Sequence, residues 1–204
     1  MFFLRRPTMQ RINRFRREAE QDSFSYPQVG TISDGTLPKG YNLPKGYNMP
    51  NGYNVDRNQI RLGEGLPLFD RACAALQAWK MFDIGWVELI HPAGPVAPGQ
   101  TVVVLAHTFG LYSLSASRVI AMIDKDDGQI WRRGFSYGTL RHHVESGEER
   151  FSVEYHREDG SVWYDLLAFS LPRHPLARLG YPLSRAAQRR FAADSKVAMV
   201  TAVS

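Results

Sequence analysis

From Ile84 to Leu171 the apolar residues recur at about every second position, and no helical period interrupts them. The segments GWVELIHP, QTVVVLAHTFG, ASRVIAMIDKD, GQIWRRGFSYGTL, ERFSVEYHRED and SVWYDLLAFSL are rich in Val, Ile, Phe, Tyr and Trp. Such residues suit a pleated, half-buried surface. Asp127-Gly128 and Asp159-Gly160 each stand between two of these segments. Asp-Gly in that position is a strong hairpin signal, because both residues tolerate the positive φ of a tight turn. With no helices between the strands, a parallel βαβ sheet is disfavoured. The pattern predicts an antiparallel meander.

Helices flank this run. In LPLFDRACAALQAWKMFD, the residues Leu68, Ala72, Ala75, Leu76, Trp79 and Phe82 fall on one stripe, and Pro67 fits the first turn. The closing segment YPLSRAAQRRFAADSKVAMVTAV has no Gly or Pro after Pro182, and Leu183, Ala187, Phe191 and Ala198 give it an apolar side. The expected fold class is α+β. A curved antiparallel sheet of about six strands grips a long C-terminal helix, forming a single domain over residues 66–204. This arrangement resembles the helix-grip architecture of START domains and Bet v-like pollen-allergen carriers. The analogy is architectural and brings no function with it.

The start of the chain reads differently. Residues 1–21 form an Arg-rich arm, with a surface helix expected over Thr8–Gln21. Arginines follow the short apolar run Met1–Leu4, the reverse of a secretory signal, and Glu18 and Glu20 argue against an organelle transit peptide. No stretch approaches the roughly 20 apolar residues of a membrane-spanning helix. The net charge of +5 by itself selects no partner, but the basic arm suits peripheral contact with an anionic membrane. A lone cysteine, Cys73, allows no intramolecular disulfide and reads as a small buried apolar residue, so a cytoplasmic setting is the default.

Residues 22–65 are expected to be a Pro/Gly/Tyr-rich loop. It contains three tandem PxGYN repeats, LPKGYN, LPKGYN and MPNGYN. Pro presets φ and Gly takes the positive φ of a type II turn, so neither a regular helix nor a central strand fits. The repeat reads as a connection lengthened by duplication. Display of Tyr41, Tyr47 and Tyr53 to a partner is the alternative.

The candidate chemistry lies in GFSYGTLRHHVESGEERFSVEYH. Alternation puts Glu149 with Phe151, Val153 and Tyr155 on the apolar face, and Glu148, Arg150, Ser152 and Glu154 on the other. A carboxylate on an apolar face is costly unless paired or protonated. Either an arginine of the last helix, Arg185 or Arg189, meets Glu149 or Glu148, or Glu149 stands in a cavity as an acid or base with a raised pKa. His142 and His143 sit beside Glu145, but adjacent histidines diverge, and His91, His107, His156 and His174 are scattered. No metal is expected. LGEGLP and GPVAPG fit neither a phosphate loop nor a dinucleotide fingerprint, and no GxSxG elbow occurs. No cofactor is expected. The tryptophans read as core, and no basic-aromatic strand indicates nucleic-acid binding.

The segments SYGTLRHHVESGEERFSVEY and AFSLPRHPLARLGYPLSRAAQRRF, with FSYPQVG and WKMFDIGWVEL, resemble the uncharacterised domain-of-unknown-function family DUF1990. The resemblance runs from about Phe24 to the C-terminus. Its signature falls on Tyr137, Gly138, Thr139, Leu140, His143, Glu145, Gly147, Glu148, Glu149 and Phe151, with Arg185 and Gln188 in the last helix. Similar proteins carry one P.GY unit where this chain has three. The resemblance implies no established reaction. Three functions remain open. The first is a non-enzymatic binding protein holding a small hydrophobic ligand, with Tyr137, Thr139, His143, Glu145, Glu148, Glu149, Arg185 and Gln188 at the site. The second is an acid/base enzyme using His143 and Glu149. The third is a membrane-associated or scaffold protein.

Overall fold

The computed structural model describes residues 1–27, 29–33, 47–48, 54–172 and 180–204. Most of the repeat, including Tyr41 and Tyr53, and His174 lie outside these residues. The described elements are β1 (Phe2–Phe3), α1 (Met9–Ala19), β2 (Tyr47–Asn48), β3 (Asn54–Glu64), α2 (Leu66–Gln77), β4 (Val87–Ile90), β5 (Thr101–Thr108), β6 (Leu111–Asp126), β7 (Ile130–Thr139), β8 (Glu145–His156), β9 (Ser161–Pro172) and α3 (Tyr181–Val203). The strands form one antiparallel sheet in the order β2-β3-β9-β8-β7-β6-β5-β4, with β1 beside β6. Register shifts between Arg61 and Gly63 and between Val119 and Ala121 mark bulges, the device that bends a long sheet. The sheet curls around α3.

All six expected strands are present. The seventh long strand, β3, lies in the segment read as loop. Its inward positions Asp56 and Asn58 are polar, and the bulge at Arg61 breaks the alternation. An apolar period of two is therefore missing even though the strand pairs with β9 along its whole length. The repeat contributes the two-residue edge strand β2 against Asn54 and Val55.

The inner face of the sheet carries the main core. Phe135, Phe151, Val153, Tyr164 and Leu166 meet Phe69, Ala72 and Leu76 of α2 and Ala192, Met199 and Val203 of α3. Trp79 takes a left-handed conformation (φ 58°) and ends α2 earlier than the stripe suggested. A 3-10 turn at Lys80–Phe82 then buries Met81 and Phe82. In α3 the buried stripe is Ala192, Ser195, Met199 and Val203, while Leu183 is exposed. Ser195 shares a hydrogen bond with Tyr164 at 2.8 Å, so a small polar residue occupies the middle of the contact.

The outer face is covered as well. Residues 1–21 are no detached arm: Ile12, Phe15 and Ala19 of α1 are buried on Val103, Leu105, Leu114, Ala116 and Leu140. Thr8 caps that helix by accepting from the Arg11 N–H. A strap over residues 24–27 and 29–33 lays Tyr26 and Ile32 on Leu167 and Phe169. Gly138 makes room for it, since a Cβ there would stand 2.1 Å from Tyr26 Oη. Further along this face, Arg150 and Arg57 both donate to Asp165 (2.8 and 2.6 Å), and Arg132 donates to Glu154 (2.8 Å). Asp165, Glu154 and Arg150 are buried, and each buried charge here has an opposite partner.

Because α1 closes a core of its own, Phe15→Ala is expected to destabilise the protein by about 3–5 kcal/mol in urea unfolding. A loss under about 1 kcal/mol would show that α1 rests on the sheet without holding it.

Candidate functional site

Between the concave face of the sheet and the first half of α3 lies a cavity of about 640 Å³. Phe82, Trp86, Val104, Leu166 and Phe191 give it apolar walls. Its polar end is built by one transverse row across four strands. Asp56 of β3 pairs with Ala168 of β9, Ala168 with Glu149 of β8, and Glu149 with Tyr137 of β7. Residues at paired positions share a face, so all four look inward. Ala168 is the small member and leaves open space between two acids. A further inward row brings Gly147 beside Ser170. Gly147 has φ +156°, and a Cβ on it would lie 1.9 Å from the Phe169 carbonyl oxygen. Only glycine allows β8 and β9 this approach.

Each polar group has a defined partner. Tyr137 Oη donates to Glu149 Oε2 at 2.6 Å. Burial raises the Glu149 carboxyl to about 7 against the Tyr137 hydrogen bond, and the nearby Glu145 and Asp56 charges add to the rise. Burial also holds the Tyr137 hydroxyl well above its ordinary value, with the Glu149 charge as the next cause. Gln188 Nε2 donates to Glu145 Oε2 at 2.7 Å and to Ser170 Oγ at 3.0 Å. The Glu145 carboxyl is raised by burial. Arg185 grips Asp56 with both terminal nitrogens, at 2.5 and 2.6 Å, and donates to Gln188 Oε1 at 2.5 Å. His143 Nδ1 lies 3.0 Å from the Glu145 backbone nitrogen and 3.1 Å from the Glu145 carbonyl oxygen, so the backbone of Glu145 holds the ring in place. Burial pushes the His143 imidazole down to about 4, so it is neutral near pH 7.

The structure therefore brings Tyr137, His143, Glu145, Glu149, Arg185 and Gln188 to one cavity. Thr139 and Glu148 also border it, but their side-chain groups are engaged elsewhere. The Glu148 carboxylate lies on the outer face and accepts from the Gly30 and Thr31 N–H groups, both at 2.9 Å. The Thr139 hydroxyl is engaged by the Gly147 N–H (2.9 Å) and stands 2.6 Å from Ser25 Oγ. The expected arginine–glutamate contact also needs correction. Arg185 meets Asp56, and among the described residues neither Arg185 nor Arg189 pairs with Glu149 or Glu148. Asp56 lies in the segment whose composition predicts a loop, so the sequence does not mark it as the partner of Arg185. His142 diverges from its neighbour and points to Asp22 at 3.6 Å. Among the described residues no group of three or more His, Cys, Asp or Glu is placed to hold a metal ion.

Residues 25–198 match the family described as Domain of unknown function (DUF1990). A UPF0548 protein of Dictyostelium discoideum is 37% identical over 211 residues, which cover 100% of this chain and 96% of that protein. A UPF0548 protein of Deinococcus radiodurans is 37% identical over 203 residues, 93% of this chain and 92% of its own length. Among solved structures, human STARD10 is similar at 12% identity with a TM-score of 0.49, over 98% of this chain and 80% of that one. At that score the likeness is one of shape alone.

The raised Glu149 carboxyl has a stability signature. A group whose pKa is higher in the folded state adds stability at low pH and loses it as pH rises through the folded value. The stability difference between the wild type and Glu149→Gln should therefore fall between about pH 4.5 and 7 and then level off. Glu148 shifts in the same direction but is common to both proteins, so it cancels; Glu145, whose charge acts on Glu149, adds a smaller coupled change of the same sign. Denaturant midpoints measured across that range test this, and parallel curves would contradict it.

Proposed function

The chain belongs to the DUF1990 family, and on that premise we propose that it is a non-enzymatic binding protein holding one small apolar or amphipathic molecule between the sheet and α3. The observation that carries this reading is the cavity itself. Its volume of about 640 Å³ falls in the range of roughly 300–1,000 Å³ usual for small-molecule sites. Apolar walls with a few convergent polar groups at one end are the composition such sites share. Interiors are ordinarily close-packed, so a space of this size in an otherwise filled core supports an occupant.

An acid/base enzyme acting on a small hydrophobic substrate is the second reading. A neutral His143 and a Glu149 carboxyl raised to about 7 line the same cavity, and such a pair suits proton transfer near neutral pH. A membrane role for the N-terminal segment has less behind it. The apolar side of α1 is turned to the sheet, which leaves its arginines as the outward face. No helix of the described residues is long and apolar enough to cross a membrane.

The test is a titration with the uncharged probe N-phenyl-1-naphthylamine. The wild type should bind it at one site. Ala168→Phe, which fills the space between Asp56 and Glu149, should weaken binding by about tenfold or more while the melting temperature stays within about 4 °C. Undiminished binding in the variant would place the probe elsewhere and overturn the reading.

A further inference from the structure

The polar end of the cavity can be counted atom by atom. Four acidic residues border it, Asp56 from β3 and Glu145, Glu148 and Glu149 from β8; the Glu148 carboxylate is turned to the Gly30 and Thr31 N–H groups of the outer face, which leaves three carboxyl groups at this end. Of the two lining arginines of α3, Arg185 has both terminal nitrogens on Asp56, and Arg189 is exposed. The amide of Gln188 is fully engaged, its oxygen by Arg185 and its nitrogen by Glu145 and Ser170. The Tyr137 proton is directed at Glu149, and the Tyr164 hydroxyl is taken up by Ser195. Two carboxylate oxygens remain. Among the described residues, Glu149 Oε1 and Glu145 Oε1 accept no hydrogen bond, since their single partners sit on the Oε2 atoms. The neutral His143 ring lines the same space.

Asn58, Ser113, Ser115 and Ser184 also line the cavity as neutral groups that can both donate and accept, and Arg189 is exposed; the charged groups at this end are therefore mainly acceptors. A carboxylate or phosphate entering it would face two acids, with the Arg185 guanidinium already chelated by Asp56 and Arg189 exposed to solvent. A primary ammonium reverses every sign: it brings three donors and a positive charge to oxygens that lack both. We propose that the occupant is an apolar molecule ending in an amine cation, seated on the Glu149 and Glu145 carboxylates with its hydrocarbon along Phe82, Leu166 and Phe191. This rests on the binding function proposed above and adds the chemical class of the ligand.

The proposal carries a proton balance. Glu149 is partly protonated near neutral pH, and the ammonium binds its carboxylate form. Binding therefore releases a proton to solvent, and affinity rises with pH through the Glu149 titration. The charged and titratable groups facing Glu149 are Asp56, Tyr137, His143, Glu145, Tyr164, Arg185 and Arg189. His143, already neutral, adds no competing proton near pH 7.

Decylamine, decanol and decanoate share one chain and differ only in the head group. Displacement of N-phenyl-1-naphthylamine by each, at pH 6, 7 and 8, tests the proposal. Decylamine should bind at least about tenfold more tightly than decanol at pH 7, decanoate should be the weakest, and the amine preference should grow from pH 6 to pH 8. Glu149→Gln should bring the amine-to-alcohol ratio close to one and flatten its pH dependence. Asp127→Asn, at an exposed turn remote from the cavity, should leave the ratio as in the wild type and so exclude attraction of the cation to surface acids. Equal binding of all three ligands, or tightest binding of decanoate, would overturn the amine assignment and leave the binding function standing. Failure of the probe and all three ligands to bind would overturn both.

Discussion

One helix meets the sheet through two kinds of contact, and the cavity exists because they differ. The C-terminal half of α3 is held by burial. Ala192, Met199 and Val203 enter the core, Tyr164 reaches Ser195, and the Trp86 indole N–H donates to Asp194 at 2.8 Å. The N-terminal half is held by Arg185 on Asp56 and by Gln188 on Glu145 and Ser170. Long polar side chains span a distance that apolar packing would have closed. An arginine in the first turns of a helix opposes the dipole at roughly 0.3–1 kcal/mol. The bidentate pair with Asp56 offsets that, since charge-assisted bonds contribute about 1.5–3 kcal/mol each.

Two neighbouring glutamates show how one strand builds two different things. Glu148 and Glu149 point to opposite faces, as strand geometry requires. Burial raises both carboxyls to about 7. Glu148 is surrounded by the backbone N–H groups of the strap and fixes residues 30–33 to the outer face. Glu149 has one phenol and an open oxygen. The same chemical group serves as a clasp where donors surround it and as an acceptor for an occupant where they do not. The covered outer face also matters: with α1 and the strap behind it, the sheet keeps its curvature while its inner face is left partly unfilled.

Much of this was legible in the residues. Strict alternation and the two Asp-Gly turns located six strands, and alternation alone turned Glu149 inward. What contacts Glu149 is not legible, because that depends on the exact register between strands. Tyr137 and Glu149 are twelve positions apart and meet through one register. Asp56 lies in the half of β3 whose inward positions, Asp56 and Asn58, are polar, so no hydrophobic period announces it. Charge complementarity indicated that Arg185 needed an acid, but the sign of a charge does not say which acid. The buried stripe of α3 was obscured for a related reason. It runs through Ala192 and Ser195, residues too small or too polar to stand out, while the more conspicuous Leu183 faces solvent.

Glu149 is half-buried at the edge of the space bounded by the sheet and α3, and partial shielding from bulk water holds its carboxyl above the ordinary range. Carbon-13 NMR titration of its side-chain carboxyl, assigned by comparison with Glu149→Gln, tests this at the atom concerned. A midpoint of about 7 is expected. A midpoint near the ordinary 4.5 would mean that water reaches this carboxyl as it reaches a surface acid, and the cavity could not be the shielded site described.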